Sequence, residues 1–296
     1  MLHGVLNIHK PKDCTSYDVI RSLKKILPPK TKIGHAGTLD PLAEGVLPVC
    51  IGEATKIVPY LQSDDKIYRA TLLFGKETDT QDISGQIINT KSISNITSAK
   101  ISNILPQFLG EQLQIPPMFS AVKKNGIPLY KLARMGKTIE RQSRKVMIYS
   151  IEINRIDLPS VVLTIYCSKG TYIRTLADTM GKALENYACL SELVRQRCGV
   201  FTLDRAVSLE LLNRNNYMDY IIPLASSLEG FPSLIVSESD EAFMRKTGLI
   251  PNDLGIVCIP DLIKIVNESN NLICLASKKH DTLRIERLFN LTTQTS

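Results

Sequence analysis

The sequence predicts an α+β protein, with a mixed and mostly antiparallel sheet, flanking helices around a central cleft, and a small β-rich module at the C-terminus. Three observations lead there. Tyr68–Phe74, Val146–Ile156 and Val161–Cys167 are rich in β-formers, and the last two alternate and read as an antiparallel pair. Apolar residues recur at helical spacing in separate stretches after Thr15, Thr97 and Thr171. From about Gly230 the character changes to short strands with Pro, Gly and Asn turns. The expected division is a large domain over 1–229 and a small module over 230–296.

Taken in order, Leu2–Ile8 reads as a buried strand. It leads into Lys10-Pro11-Lys12-Asp13-Cys14-Thr15-Ser16, where Lys10-Pro11 reads as a turn. Thr15 or Ser16 can N-cap a helix whose apolar stripe is Val19, Ile20, Leu23, Ile26 and Leu27. In Thr78-Asp79-Thr80-Gln81-Asp82-Ile83-Ser84-Gly85 the acidic spacing is wrong for an EF-hand and no Glu closes the loop. A hairpin turn at Ser84-Gly85 fits better. Thr97–Phe108 has helical spacing at Ile101, Ile104, Leu105 and Phe108. Thr171 can cap a helix carrying Ile173, Leu176, Ala177, Met180 and Leu184. Arg174 sits near that helix start, where the dipole gives a cation no help, so a carboxylate partner is expected; an ordinary surface ion pair is the plainer alternative. Ser208 starts a short helix through Leu212. Ile250–Val266 and Leu272–Leu288 read as the strands of an all-β tail.

The chain is organised around Gly34-His35-Ala36-Gly37-Thr38-Leu39-Asp40-Pro41-Leu42-Ala43-Glu44-Gly45-Val46-Leu47-Pro48-Val49. Its glycines and prolines keep any single helix or strand from running through it. It is apolar enough to be packed, yet it carries His35, Asp40 and Glu44. Pro41 biases Asp40 towards an extended backbone, so the carboxylate projects from a stiff loop. Such a residue is either a solvated turn Asp or a presented catalytic group.

The formal net charge of +7 favours a polyanionic partner. The excess concentrates between Ile115 and Val146, where Lys123, Lys124, Lys131, Arg134, Lys137, Arg141, Arg144 and Lys145 face only Glu140. Phe119, Tyr130 and an Asn125-Gly126 turn are interleaved. That segment is either a solvated face or a mobile basic flap that closes on a phosphate backbone. The seven Cys (Cys14, Cys50, Cys167, Cys189, Cys198, Cys258 and Cys274) are spread singly, with no CxxC pair and four His in the chain, so no metal site is expected. Odd thiols without a signal peptide point to the cytoplasm, and no run is long enough to span a membrane.

Gly34 to Pro41, with Gly45-Val46-Leu47-Pro48-Val49 and Gly52-Glu53-Ala54-Thr55-Lys56, resembles the signature of the TruB family of tRNA pseudouridine synthases. Lys66-Ile67-Tyr68-Arg69 resembles the family's second motif, and Lys169-Gly170-Thr171-Tyr172-Ile173-Arg174 a third. Lys10-Pro11 and Ser16 are similar to the family's Lys-Pro-x-Gly-x-x-Ser opening, with Asp13 where Gly is expected. Leu193–Phe201 resembles a further motif from which Val194 and Gln196 depart, and it carries a structural role only. The strong resemblance covers roughly Gly4 to Phe201; the tail is matched by position to the family's PUA or PUA-like RNA-binding domain.

The resemblance implies the pseudouridine-synthase fold and isomerisation of the T-loop uridine of tRNA, position 55, to pseudouridine. It assigns catalysis to Asp40, with Arg174 pairing with it and Tyr68 on the target base. Alone, Tyr68 reads as a core aromatic and His35 as a structural histidine. The resemblance makes His35 a wedge that fills the space of a flipped base, and makes Tyr172 a substrate contact. Lys123, Lys124, Tyr130, Arg134 and Arg144 are the RNA-gripping candidates in the insertion at about 115–146. The reaction needs no cofactor. The implied partner is the T-arm of tRNA, met by a monomer without obligatory protein or guide RNA. The alternatives are a tRNA-binding folding factor with incidental or lost catalysis, a guide-dependent relative acting on ribosomal RNA, and a glycosidase using Asp40 and Glu44.

Overall fold

The computed structural model describes residues 2–251, 261–279 and 282–291. Two compact units make up the chain: Met1–Pro41 with Gly45–Gln62 and Cys198–Ser296, and Leu42–Glu44 with Ser63–Arg197.

In the first unit, strand Gly4–Lys10 pairs antiparallel with Glu44–Ile51 along its whole length, Gly4 opposite Ile51 and Lys10 opposite Gly45. Val207–Ser208 joins it in parallel and Ile221–Ile222 antiparallel. Ile33–His35 pairs with the end of Glu44–Ile51. Side chains alternate across a strand, so its two faces enter different cores. Leu6, Ile8, Leu47, Val49 and Ile51 pack with Val19, Ile20 and Leu23 of the Ser16–Ile26 helix. Val5, Val46 and Cys50 pack with Ala54, Ile57, Leu61, Leu224, Leu228 and Phe289. The Ser16–Ile26 helix starts where its stripe predicts: Thr15 is the N-cap, and Thr15 and Asp18 close a reciprocal capping box.

The organising stretch is two strands around a turn. Its second half, Glu44–Ile51, is a full strand that its Gly and Pro content conceals. Pro48 lacks an N–H, but its carbonyl accepts from the Ala36 N–H at 2.8 Å.

The tail forms a separate sheet in which Ser233–Val236 runs parallel to Leu262–Asn267, followed antiparallel by Leu272–Lys279 and Thr282–Leu288. The expectation of an all-β tail is corrected, because helix Glu238–Thr247 lies between its first two strands. A Ser237/Asp240 capping box opens that helix and Gly248, at φ 70, closes it. Met244 anchors it against Val236, Ile263, Ile265 and Ile273. The strand expected over Ile250–Val266 is Leu262–Asn267, and residues 252–260, including Cys258, lie outside the described residues.

In the second unit, Lys66–Phe74 pairs antiparallel with Ser160–Cys167, which pairs with Arg144–Asp157, which pairs with Gly110–Gln114. Ala188–Cys198 flanks Lys66–Phe74. The hairpin expected near Ser84-Gly85 joins Lys76–Thr78 to Ile87–Thr90. Thr97 caps the Ser98–Ile104 helix, which tightens into a 3₁₀ turn over Leu105–Phe108. Helix Ile173–Ala183 is present, but its N-cap is Tyr172 rather than Thr171. Thr171 Oγ1 instead donates to the Ser168 carbonyl at 3.0 Å, an alternative that a hydroxyl in a turn often takes. The side-chain amide of Gln114 serves the helix start, accepting from Tyr172 N–H at 2.7 Å and donating to Tyr172 C=O at 3.0 Å.

Candidate active site

Asp40 and His35 belong to the first unit. His35 ends the short Ile33–His35 strand, opposite Val49, and is half-buried. Asp40 is half-buried as well, between buried Leu39 and exposed Pro41. The backbone on both sides of it is tied to the turn that precedes the Ser16–Ile26 helix. Ser16 Oγ accepts from Leu39 N–H at 2.9 Å and donates to Leu39 C=O at 3.1 Å. Asp13 N–H donates to Pro41 C=O at 2.8 Å. Asp13 holds φ 62, the left-handed conformation that glycine adopts most easily, so the turn keeps its geometry without glycine. The fully buried Lys10 closes this turn from within, its Nζ donating to Pro11 C=O at 2.8 Å and Cys14 C=O at 2.6 Å.

Tyr68, Arg174 and Tyr172 belong to the second unit. Tyr68 is buried on Lys66–Phe74, opposite Ile165. Arg174 is only 3% exposed, so its charge needs partners. Nη1 donates to Thr80 C=O at 2.9 Å and Nη2 to Phe119 C=O at 2.8 Å. The carboxylate of Asp82 lies 3.7 Å from Nη1. Asp82 is itself buried and accepts from Thr80 Oγ1 at 2.8 Å and Ser84 N–H at 3.0 Å. Thr175 Oγ1 donates to Gln81 Oε1 at 2.9 Å, and Gln81 Nε2 donates to Asp178 at 3.2 Å. The Thr78–Gly85 loop, read as a plain turn, is therefore the cradle of the helix that presents Arg174. Asp82 and Gln81 are the residues sequence reading missed; the Asp82-x-Ser84-Gly85 pattern, typical of a side chain that folds its own turn, was the available signal.

Just before that strand, Asp64 is pushed up to about 6, chiefly by burial, with Lys66 opposing and the neighbouring Asp65 adding to the rise. Lys66 Nζ donates to the Asp64 carbonyl. The hydroxyls of Tyr149 and Tyr166 donate to Asp65 at 3.1 and 3.2 Å.

The basic segment opens at Phe119, whose carbonyl already serves Arg174. Lys123–Lys124 pairs with Ile127–Pro128 across Asn125 and Gly126, both at positive φ, as a two-residue hairpin turn demands. Helix Leu129–Arg134 follows, held by buried Leu129. Lys123, Lys124, Arg134 and Arg144 are exposed, and the Arg134 guanidinium stacks 5.7 Å from the centre of the Tyr130 ring. Arg134 thus meets one aromatic face on a small, largely exposed scaffold that also carries Lys123 and Lys124.

Residues 24–173 match the family model described as TruB family pseudouridylate synthase (N terminal domain). The chain is 40% identical over 292 residues to tRNA pseudouridine synthase B of Clostridium tetani (strain Massachusetts / E88), covering 97% of this chain and 99% of that one. It is 42% identical over 293 residues to tRNA pseudouridine synthase B of Clostridium novyi (strain NT), with 97% and 99% covered. Identity to tRNA pseudouridine synthase B of Geobacter sulfurreducens is 39% over 307 residues, 98% of this chain and 100% of the other. Among solved structures, a chain in the crystal structure of a Cbf5-Nop10-Gar1 complex superposes with a TM-score of 0.73 at 27% identity, over 96% of this chain and 84% of that chain. The fold is also that of a chain in an H/ACA RNP bound to a substrate RNA containing 2'-deoxyuridine, at a TM-score of 0.74 and 24% identity, over 97% and 85%.

Proposed function

The chain belongs to the TruB family of pseudouridylate synthases, and on that premise we propose that it isomerises uridine to pseudouridine in tRNA, acting on the T-loop uridine at position 55. The observation that carries this reading is the 40% identity to a tRNA pseudouridine synthase B over 97% of the chain. In the proposed reaction the base leaves through its N1–C1′ bond, turns, and rejoins through C5; C5 then gives up a proton and the freed N1 takes one up. Composition is unchanged, so no group or electron enters from outside.

A uridine stacked in a folded loop is out of reach, so it is flipped out, at a cost of about a few kcal/mol. His35 is proposed to fill the gap it leaves, and Tyr68 and Tyr172 to contact the extruded nucleotide. Asp40 supplies the carboxylate, either as a nucleophile or as the base that starts glycal formation. Arg174 is proposed to pair with that carboxylate and aim it, since a guanidinium pairs bidentately with a carboxylate. Lys123, Lys124, Tyr130, Arg134 and Arg144 hold the T-arm backbone, with Tyr130 as a stacking face. The module over 230–296 is proposed as a further RNA contact, and the enzyme as a cytoplasmic monomer that needs no guide or protein partner.

The test is tritium release from a T-arm minihelix carrying 5-tritiated uridine, with the purified chain as the sole protein. Release to water with pseudouridine in the product supports the reading. Bound RNA without release leaves a folding factor. Free uracil would reveal a glycosidase, and release only after guide RNA or further proteins are added would contradict self-sufficiency.

A further inference from the structure

We propose that Ser16 is a positioning residue for the reaction: its hydroxyl latches Leu39 and thereby fixes where the Asp40 carboxylate points. This rests on the reading of Asp40 as the catalytic group. Four observations within the first unit carry it.

The hydroxyl makes two hydrogen bonds to one residue, accepting from Leu39 N–H at 2.9 Å and donating to Leu39 C=O at 3.1 Å. That uses both polar groups of the peptide position next to Asp40, and a single oxygen bonded to both resists rotation as well as translation. Both partners are buried, with Ser16 2% and Leu39 3% exposed, so water does not compete for these bonds. Ser16 itself is the first residue of a helix that is closed by a capping box and anchored by Val19, Ile20 and Leu23, so the latch is mounted on a rigid element. On the far side of Asp40, the Asp13 N–H holds Pro41 C=O at 2.8 Å. Asp40 is thus the one residue between two tethers that both come from the 13–16 turn, and Ser16 is the only one of these tethers made by a side chain. Substitution reaches it without rebuilding the backbone.

A misplacement of an ångström or so in a reacting group can cost about 100-fold in rate. Ser16→Ala removes the latch and keeps helix propensity. It is expected to lower the single-turnover rate at saturating RNA by about 10- to 100-fold, with the Kd for the minihelix within about twofold of wild type. Val19→Ala, on the same helix but inside the core, controls for loosening, and it is expected to lower Tm at least as much while keeping the rate. Asp40→Asn runs beside both. An unchanged rate in Ser16→Ala with an inactive Asp40→Asn overturns the latch and leaves the reading of Asp40 intact. Equal rate losses in Ser16→Ala and Val19→Ala overturn it too, since the effect is then general softening. An active Asp40→Asn overturns the reading of Asp40 and the latch with it.

Discussion

The loop around Asp40 and the segment around Lys123 are both irregular backbone, but they are held in opposite ways. Leu39 and Pro41 are tethered to a helix start, and Ala36, Leu39, Leu42 and Ala43 are buried. In the basic segment Lys123, Lys124, Arg134, Lys137, Arg144 and Lys145 project into solvent from a two-residue hairpin, a short helix, a loop and a strand start. Among these side chains, Lys124 Nζ donates to the Glu140 carbonyl at 3.0 Å, and Lys145 makes an exposed ion pair with Glu111 at 2.9 Å. An exposed pair of that kind is worth about 0 to 1 kcal/mol. The difference matches the two tasks proposed above. Bond making depends on angle and distance, which a tethered loop would hold. A phosphate backbone attracts charge over several ångströms, so partners for it need density more than precision.

Substitutions at Arg174 press hardest on this contrast. Arg174→Ala strips a buried cation from two carbonyls and Asp82, and is expected to lower the single-turnover rate more than about 100-fold and to cost about 3 to 5 kcal/mol of stability. Arg174→Lys keeps the charge but loses the fork, so its Tm should recover more than its rate; equal recovery of both would say that charge alone is needed. The exposed segment should behave differently. Replacing Lys123, Lys124, Arg134 and Arg144 together by Gln is expected to weaken RNA binding. The slope of log Kd against log salt should flatten by about 0.7 to 0.9 for each phosphate that is no longer neutralised. The rate at saturation should stay near wild type, and a fall in that rate would mean that the segment also shapes the chemistry.

Two smaller effects concern stability. Gly181 lies where an added Cβ would come 2.7 Å from the Tyr187 carbonyl carbon and 2.9 Å from Ala188 Cβ. Gly181→Ala should cost about 1 to 3 kcal/mol by overpacking, read as a drop in Tm or denaturant midpoint. The smallest effect is expected at Asp64. Its folded-state value is raised to about 6 by burial, above the ordinary value near 4, so the folded state holds the proton more tightly. Stability from this group is therefore fully present below about pH 4 and is lost as pH rises to about 6. Asp64→Asn should raise Tm at pH 7 and leave it unchanged at pH 4; the opposite pattern would reverse the assigned sign.

Much of the fold was legible in the sequence, for identifiable reasons. The Thr15 cap, the Lys66–Phe74 strand and the paired Arg144–Asp157 and Ser160–Cys167 strands follow from local patterns that tertiary packing reinforced. The Glu44–Ile51 strand was hidden by Gly45 and Pro48, which break local rules where register with Gly4–Lys10 decides. The Glu238–Thr247 helix was passed over among strand signals, although Ser237, Asp240 and Gly248 mark both its ends. Ser16 and Asp82 were legible only in part: Ser16 stands in the Lys10-Pro11 opening motif and Asp82-x-Ser84-Gly85 marks a turn, but their partners, Leu39 and Arg174, lie far along the chain.

The central claim is that bond making resides in the tethered loop and RNA grip in the exposed segment. It is tested most directly by measuring minihelix affinity and saturated single-turnover tritium release together, for Asp40→Asn and for the four-site Gln variant. Asp40→Asn should bind like wild type and release at least about 1000-fold more slowly, while the Gln variant should bind weakly and release near the wild-type rate once saturated. Release by Asp40→Asn at the wild-type rate, or loss of both properties in both variants, would contradict that division.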